Sequence, residues 1–155
     1  MTAASTILLA VDLAGKKREL ALKQLGKAQS AYRFANDQMA QLEHYAGETD
    51  GKYLRTGASG MSPALLFHHT QFMGRLLHAI DLQRQHLLDA DQDLILAKKG
   101  VLDVEFRLVR LKHLLASQRA VARAQQARRE QKETDEFAAH QHVRRGINQA
   151  RGELL

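Results

Sequence analysis

Apolar residues recur along two long stretches of this chain in alternating steps of four and three. The first stripe runs Ile7, Val11, Ala14, Ala21, Leu25, Ala28, Tyr32, Ala35, Met39, Leu42 and Ala46, with Arg18 alone off pattern. The second runs from Leu66 through Met73, Leu76, Ile80, Leu87, Ala90, Leu94, Ala97, Val101, Val104, Leu108, Leu111 and Leu115 to Ala122, and admits His69, Gln83 and Gln118. A mean spacing of 3.5 residues keeps one face turned toward a partner helix, which is the mark of supercoiled α-helices. Between the stripes lies the one dense turn signal, residues 47–63, with Gly47, Gly51, Gly57, Gly60 and Pro63. It closes on Ser62-Pro63, a helix N-cap followed by proline in the first helical position.

The pattern predicts a helix over 5–46, a loop over 47–62, a helix over 63–142 and a frayed tail over 143–155, in a single coiled-coil domain spanning 1–155. The fold class is all-α, an antiparallel two-helix coiled-coil hairpin whose longer second helix overhangs at the C-terminus. Lys98-Lys99-Gly100-Val101 also resembles a helix C-terminus, and a corner there would give a three-helix bundle broken near Gly100. The heptad phase passes through Gly100 without a shift and no loop residues follow, which favours one continuous helix. At 1.5 Å per residue the two helices would span about 63 Å and about 120 Å. The second helix then lacks a partner within the chain from about residue 105, and a helix with Leu108, Leu111 and Leu115 on one stripe is marginal alone in water.

Charge sharpens this picture. Residues 105–132 hold eight of the 23 lysines and arginines but two of the 17 acids, an excess equal to the net charge of +6 of the whole chain. The basic character therefore belongs to one helical segment and to whatever that segment meets. Aromatics are scarce at 5%, tryptophan is absent and Pro63 is the one proline, as long helices rather than a compact mixed domain require. With no cysteine, a disulfide framework and thiolate chemistry are excluded. The short apolar run Ile7–Val11 is interrupted by Asp12 and has its basic residues after it, a poor signal peptide, and no stretch approaches the roughly 20 apolar residues of a membrane span. A soluble cytoplasmic protein is expected.

Chemistry-bearing motifs are thin. The eight histidines include the neighbours His68-His69 and the pair His140/His142, whose spacings of one and two turn the rings to different faces of a helix. No phosphate loop, nucleophile motif or metalloprotease motif is present, so no enzyme activity, cofactor or metal is expected. A basic helix joined to a coiled coil is also a design for nucleic-acid binding. Here the basic stretch runs into Glu130, Glu133, Asp135 and Glu136, which would repel phosphate, and no nucleic-acid partner is expected. A nucleic-acid-binding coiled coil and a generic coiled-coil scaffold stand as the alternative functions.

The charged run 128–140, RREQKETDEFAAH, resembles the C-terminal signature of the FliJ family, small coiled-coil components of the bacterial flagellar type III export apparatus. The matching pattern falls on Glu130, Gln131, Lys132, Asp135, Glu136 and Ala138, and the opening, Leu9 through Leu20, is similar to the family's beginning. The resemblance implies a noncatalytic stalk of the hexameric export ATPase, which it couples to the cytoplasmic domain of the export-gate protein FlhA while binding export chaperones. It also implies a cytoplasmic location, peripheral to the inner membrane at the flagellar base, without direct membrane insertion, and a role in flagellum biogenesis, motility and chemotaxis. Carried onto this sequence, the gate interface falls on Gln38, Leu42, Tyr45, Phe72, Leu76 and Ala79. Thr49 and Gln83 stand where the family pattern favours an aromatic and a histidine. The ATPase-ring interface is expected on the overhang, at Arg123, Arg128, Arg129, Glu130, Gln131, Lys132, Asp135, Glu136 and Phe137.

Overall fold

The computed structural model describes residues 2–57 and 60–154. Two helices account for nearly all of them: α1, Ala3–Gly57, of 55 residues, and α2, Pro63–Glu153, of 91 residues. Each begins on a side-chain cap that satisfies an otherwise orphaned amide. Thr2 Oγ1 accepts the amide of Ser5 at 3.3 Å, and Ser62 Oγ accepts the amide of Leu65 at 3.2 Å with Pro63 next in line. Gly60 turns the chain at φ 91°, and its amide donates to the carbonyl of Gly57 at 3.3 Å. Ala58 and Ser59 of the expected loop lie outside the described residues.

The chain divides into two compact units, Ala14–Arg107 and Met1–Leu13 with Leu108–Leu155. In the first, α1 and α2 lie antiparallel along the two apolar stripes. Ala14, Ala35 and Met39 of α1 and Leu76, Ile80, Ala90 and Val101 of α2 are buried. Met39, Leu76 and Ile80 form the central cluster, with Leu42, Ala46, Met73 and Leu87 packed against it. Polar groups in the seam are paired rather than stranded. Arg18, the residue off the stripe, meets Glu105 across the hairpin at 3.3 Å, and Gln83 Nε2 donates to the carbonyl of Ala35 at 2.9 Å. In the second unit, Ile7, Ala10 and Val11 of α1 and Leu108 and Leu111 of α2 are half-buried, and Leu115 is buried.

Boundaries differ from the expectation at the loop, at the start of the unpartnered part and at the tail. The loop predicted over 47–62 is helical as far as Gly57. Glycine in a helix costs about 1 kcal/mol against alanine, and packing on α2 offsets that cost. Thr49, Gly51 and Tyr53 are half-buried, and the Tyr53 ring stacks on His69 with centroids 3.8 Å apart and planes within 4°. Because α1 is longer by this segment, its pairing reaches further along α2. The unpartnered part starts at Arg119 rather than near 105, and every residue from there to Leu154 is exposed. The tail expected to fray from 143 stays helical to Glu153, where Arg144, Arg145 and Arg151 suit the negative end of the helix dipole. At Gly100 α2 continues unbroken; the glycine sits half-buried in mid-helix, and no corner forms.

Candidate docking surfaces

The residues expected at the gate surface fall into two kinds. Leu76 is 8% exposed and belongs to the central cluster, and Leu42 packs against that cluster. Both therefore hold the hairpin together. Tyr45 and Phe72 sit at the edge of the seam, 51% and 39% exposed. Their rings meet edge to face, with centroids 5.9 Å apart at 86°, a geometry that adds about 0.5–1.5 kcal/mol beyond area burial. The pair ties α1 to α2 while leaving ring surface in solvent. Gln38 and Ala79 are half-buried one heptad away from Tyr45 and Phe72 respectively.

A groove of about 340 Å³ opens beside this pair, lined by Gln38, Gln41, Leu42, Tyr45 and Gln83. Gln83 and Gln41 are the residues the sequence reading did not assign. Gln83 carried a usable signal, since it is a polar residue in an apolar stripe. Its amide nitrogen bridges Ala35 O at 2.9 Å and Gln38 Oε1 at 3.4 Å, so it both pins the helices and orients Gln38 in the groove. Thr49 does not extend the surface, because its hydroxyl donates to the carbonyl of Tyr45 at 2.8 Å within α1.

The residues expected at the ATPase ring all lie on the exposed part of α2, outside any packed surface of the chain. Two of their three acids are engaged by glutamines: Gln126 Nε2 donates to Glu130 Oε1 at 3.1 Å, and Gln131 Nε2 to Asp135 Oδ1 at 2.9 Å. Arg123 Nε donates to the carbonyl of Arg119 at 3.4 Å. Among the described residues Arg128, Arg129 and Lys132 form no salt bridge, although Lys132 and Glu136 stand four apart. The guanidinium groups thus face solvent with their charge unspent. Phe137 is 66% exposed on the same segment, with Val143 and Ile147 beyond it. At the start of the segment, Ala3 and Ala4 of α1 leave a shallow apolar notch against Ser117, Val121 and Ala122.

No group of three or more His, Asp or Glu residues gathers as a metal site among the described residues, and no helix is long and apolar enough to cross a membrane. Compared with known proteins, residues 8–146 match the family model for the flagellar FliJ protein. No curated protein and no solved structure matches the chain.

Proposed function

This chain belongs to the FliJ family, components of flagellar export, and from that premise we propose that it is the noncatalytic stalk of the export ATPase ring. In this reading α2 beyond Gln118 docks in the ring, and the Tyr45–Phe72 edge contacts the cytoplasmic domain of FlhA. Export chaperones are further partners, and the working location is the cytoplasmic side of the inner membrane at the flagellar base. The observation that carries the reading is the run from Arg119 to Leu154, helical to Glu153 and exposed throughout. An isolated helix of mixed charge gains a few tenths of a kcal/mol per internal pair, too little to explain so long an unpacked element. A ring lined with acidic residues would supply what it lacks, taking up Arg123, Arg128 and Arg129 and seating Phe137 as an aromatic anchor.

The test is truncation after residue 122, which leaves the paired helices intact. Binding to the purified export ATPase should be lost while the melting of the hairpin is retained. A truncated chain that binds as well as the full one would move the contact into the paired helices and end this reading.

A further inference from the structure

The side of the hairpin that carries Tyr45 and Phe72 keeps large apolar residues among its polar ones below them. On α1, Gln41, which lines the groove, shares a heptad row with Phe34 and Leu20. On α2, Leu82 lies one turn from Ala79, the row-mate of Phe72, and Leu96 follows two heptads later. Phe34, Leu20, Leu82 and Leu96 are each more than half exposed. The antiparallel pairing of Tyr45 with Phe72 brings Phe34 to the level of Leu82 and Leu20 to the level of Leu96. Apolar walls therefore recur along one side of the seam, over a run of roughly 25 residues or about 37 Å.

The charges on these walls are sorted. Between residues 17 and 41 the two rows on α1 carry Lys17 and Lys27 and no acid. Between residues 72 and 103 the facing rows on α2 carry Asp89, Asp93 and Asp103 against the single base Arg75 at the upper end, with His86. None of these lysines and aspartates forms a salt bridge among the described residues. The α1 wall is basic, the α2 wall is acidic on balance, and apolar residues recur on both.

The geometry points to a third-helix docking groove along Leu20–Tyr45 and Phe72–Leu96, fitted to an amphipathic α-helix of another protein that carries acids on the flank toward α1 and bases on the flank toward α2. Apolar residues two heptads apart on each wall, with Lys27 and Asp89 midway, keep the register of a helix whose own apolar residues repeat every three and four positions, and the sorted charges fix the direction in which it lies. This inference rests on the proposed function only in taking the Tyr45–Phe72 edge as the upper end of the groove.

The probe is a synthetic helix of roughly 25 residues, with leucine along its seam, glutamate along one flank and lysine along the other. Its control has the same composition with glutamate and lysine alternating on both flanks. Fluorescence anisotropy against the full chain should show the sorted peptide binding about tenfold tighter than the control. Phe34→Ser with Leu82→Ser should abolish that binding while leaving thermal unfolding of the hairpin in place, since both side chains are exposed. Lys17→Glu with Lys27→Glu should erase the preference between the peptides. Equal binding of the two peptides, or binding indifferent to the Phe34 and Leu82 changes, overturns the proposal. So does sedimentation showing that these changes split a dimer of the chain, which would make a second copy the occupant. No export ATPase enters these measurements, so they can fail while the truncation test succeeds, and the reverse.

Discussion

At Gly60 the backbone stands at φ 91°, in the region a β-carbon disfavours, and the turn between the helices depends on it. Gly100, by contrast, lies inside α2 with nothing within 4 Å of the position a β-carbon would take. The two glycines should answer the same substitution with opposite signs. Gly60→Ala is expected to lower the stability of the hairpin by about 1–2 kcal/mol, and Gly100→Ala to raise it by up to roughly 1 kcal/mol. Urea unfolding followed by circular dichroism checks both. A destabilising Gly100→Ala would mean a cap at that position and would restore the corner. Arg18 and Gln83 teach a related lesson, since both interrupt the apolar stripes and both find partners across the seam.

Among the elements, the stretch from Gly47 to Gly57 is the one whose state the local sequence and the fold dispute. Its glycines favour a loop, and contacts made on α2 hold it as helix. Tyr53 against His69 is the ring contact that anchors it. Amide exchange across 47–57 should therefore be faster than across the seam of 21–46, because fewer buried groups must be released to open it. His69→Ala should accelerate exchange in 47–57 further while leaving 21–46 unchanged. If the two segments exchange alike, the tip is as firmly helical as the rest. The exposed part of α2 is expected to exchange quickly as well, and, on the proposed docking, to slow when the export ATPase is added.

For the molecule as a whole, the proposed docking makes the sorting of its net charge the property to test. The basic excess sits on 105–132, and most of it lies beyond the last half-buried residue, Gln118. Reversing Arg128 and Arg129 to glutamate, or Phe137→Ala, should weaken association with the export ATPase without altering hairpin melting, since none of the three side chains packs on the chain. The wild-type complex should also loosen as salt rises from low to physiological ionic strength, where screening shortens to about 8 Å. Pull-down or calorimetric titration across a salt series checks both expectations. Affinity independent of salt would mean that the arginines are not the docking charge.

What the amino-acid sequence determined by itself was the seam. With Leu66 and Ala122 as the exposed exceptions, the positions named from periodicity are buried or half-buried, because a heptad repeat of this length leaves one face free to exclude water. The continuity of α2 through Gly100 was legible for the same reason, as a lone glycine costs less than a lost phase. Tertiary structure decided where the chain turns and where pairing ends. Four glycines between Gly47 and Gly60 are indistinguishable as loop formers until α2 lies alongside and holds the first three in α1. That choice moved the start of the unpartnered helix from about residue 105 to Arg119. The packing of the residues expected at the gate divides in the same way. Periodicity already put Leu42 and Leu76 on the seam, but only packing shows Tyr45 and Phe72 meeting ring to ring at its edge, because a contact across the hairpin depends on the register of the second helix.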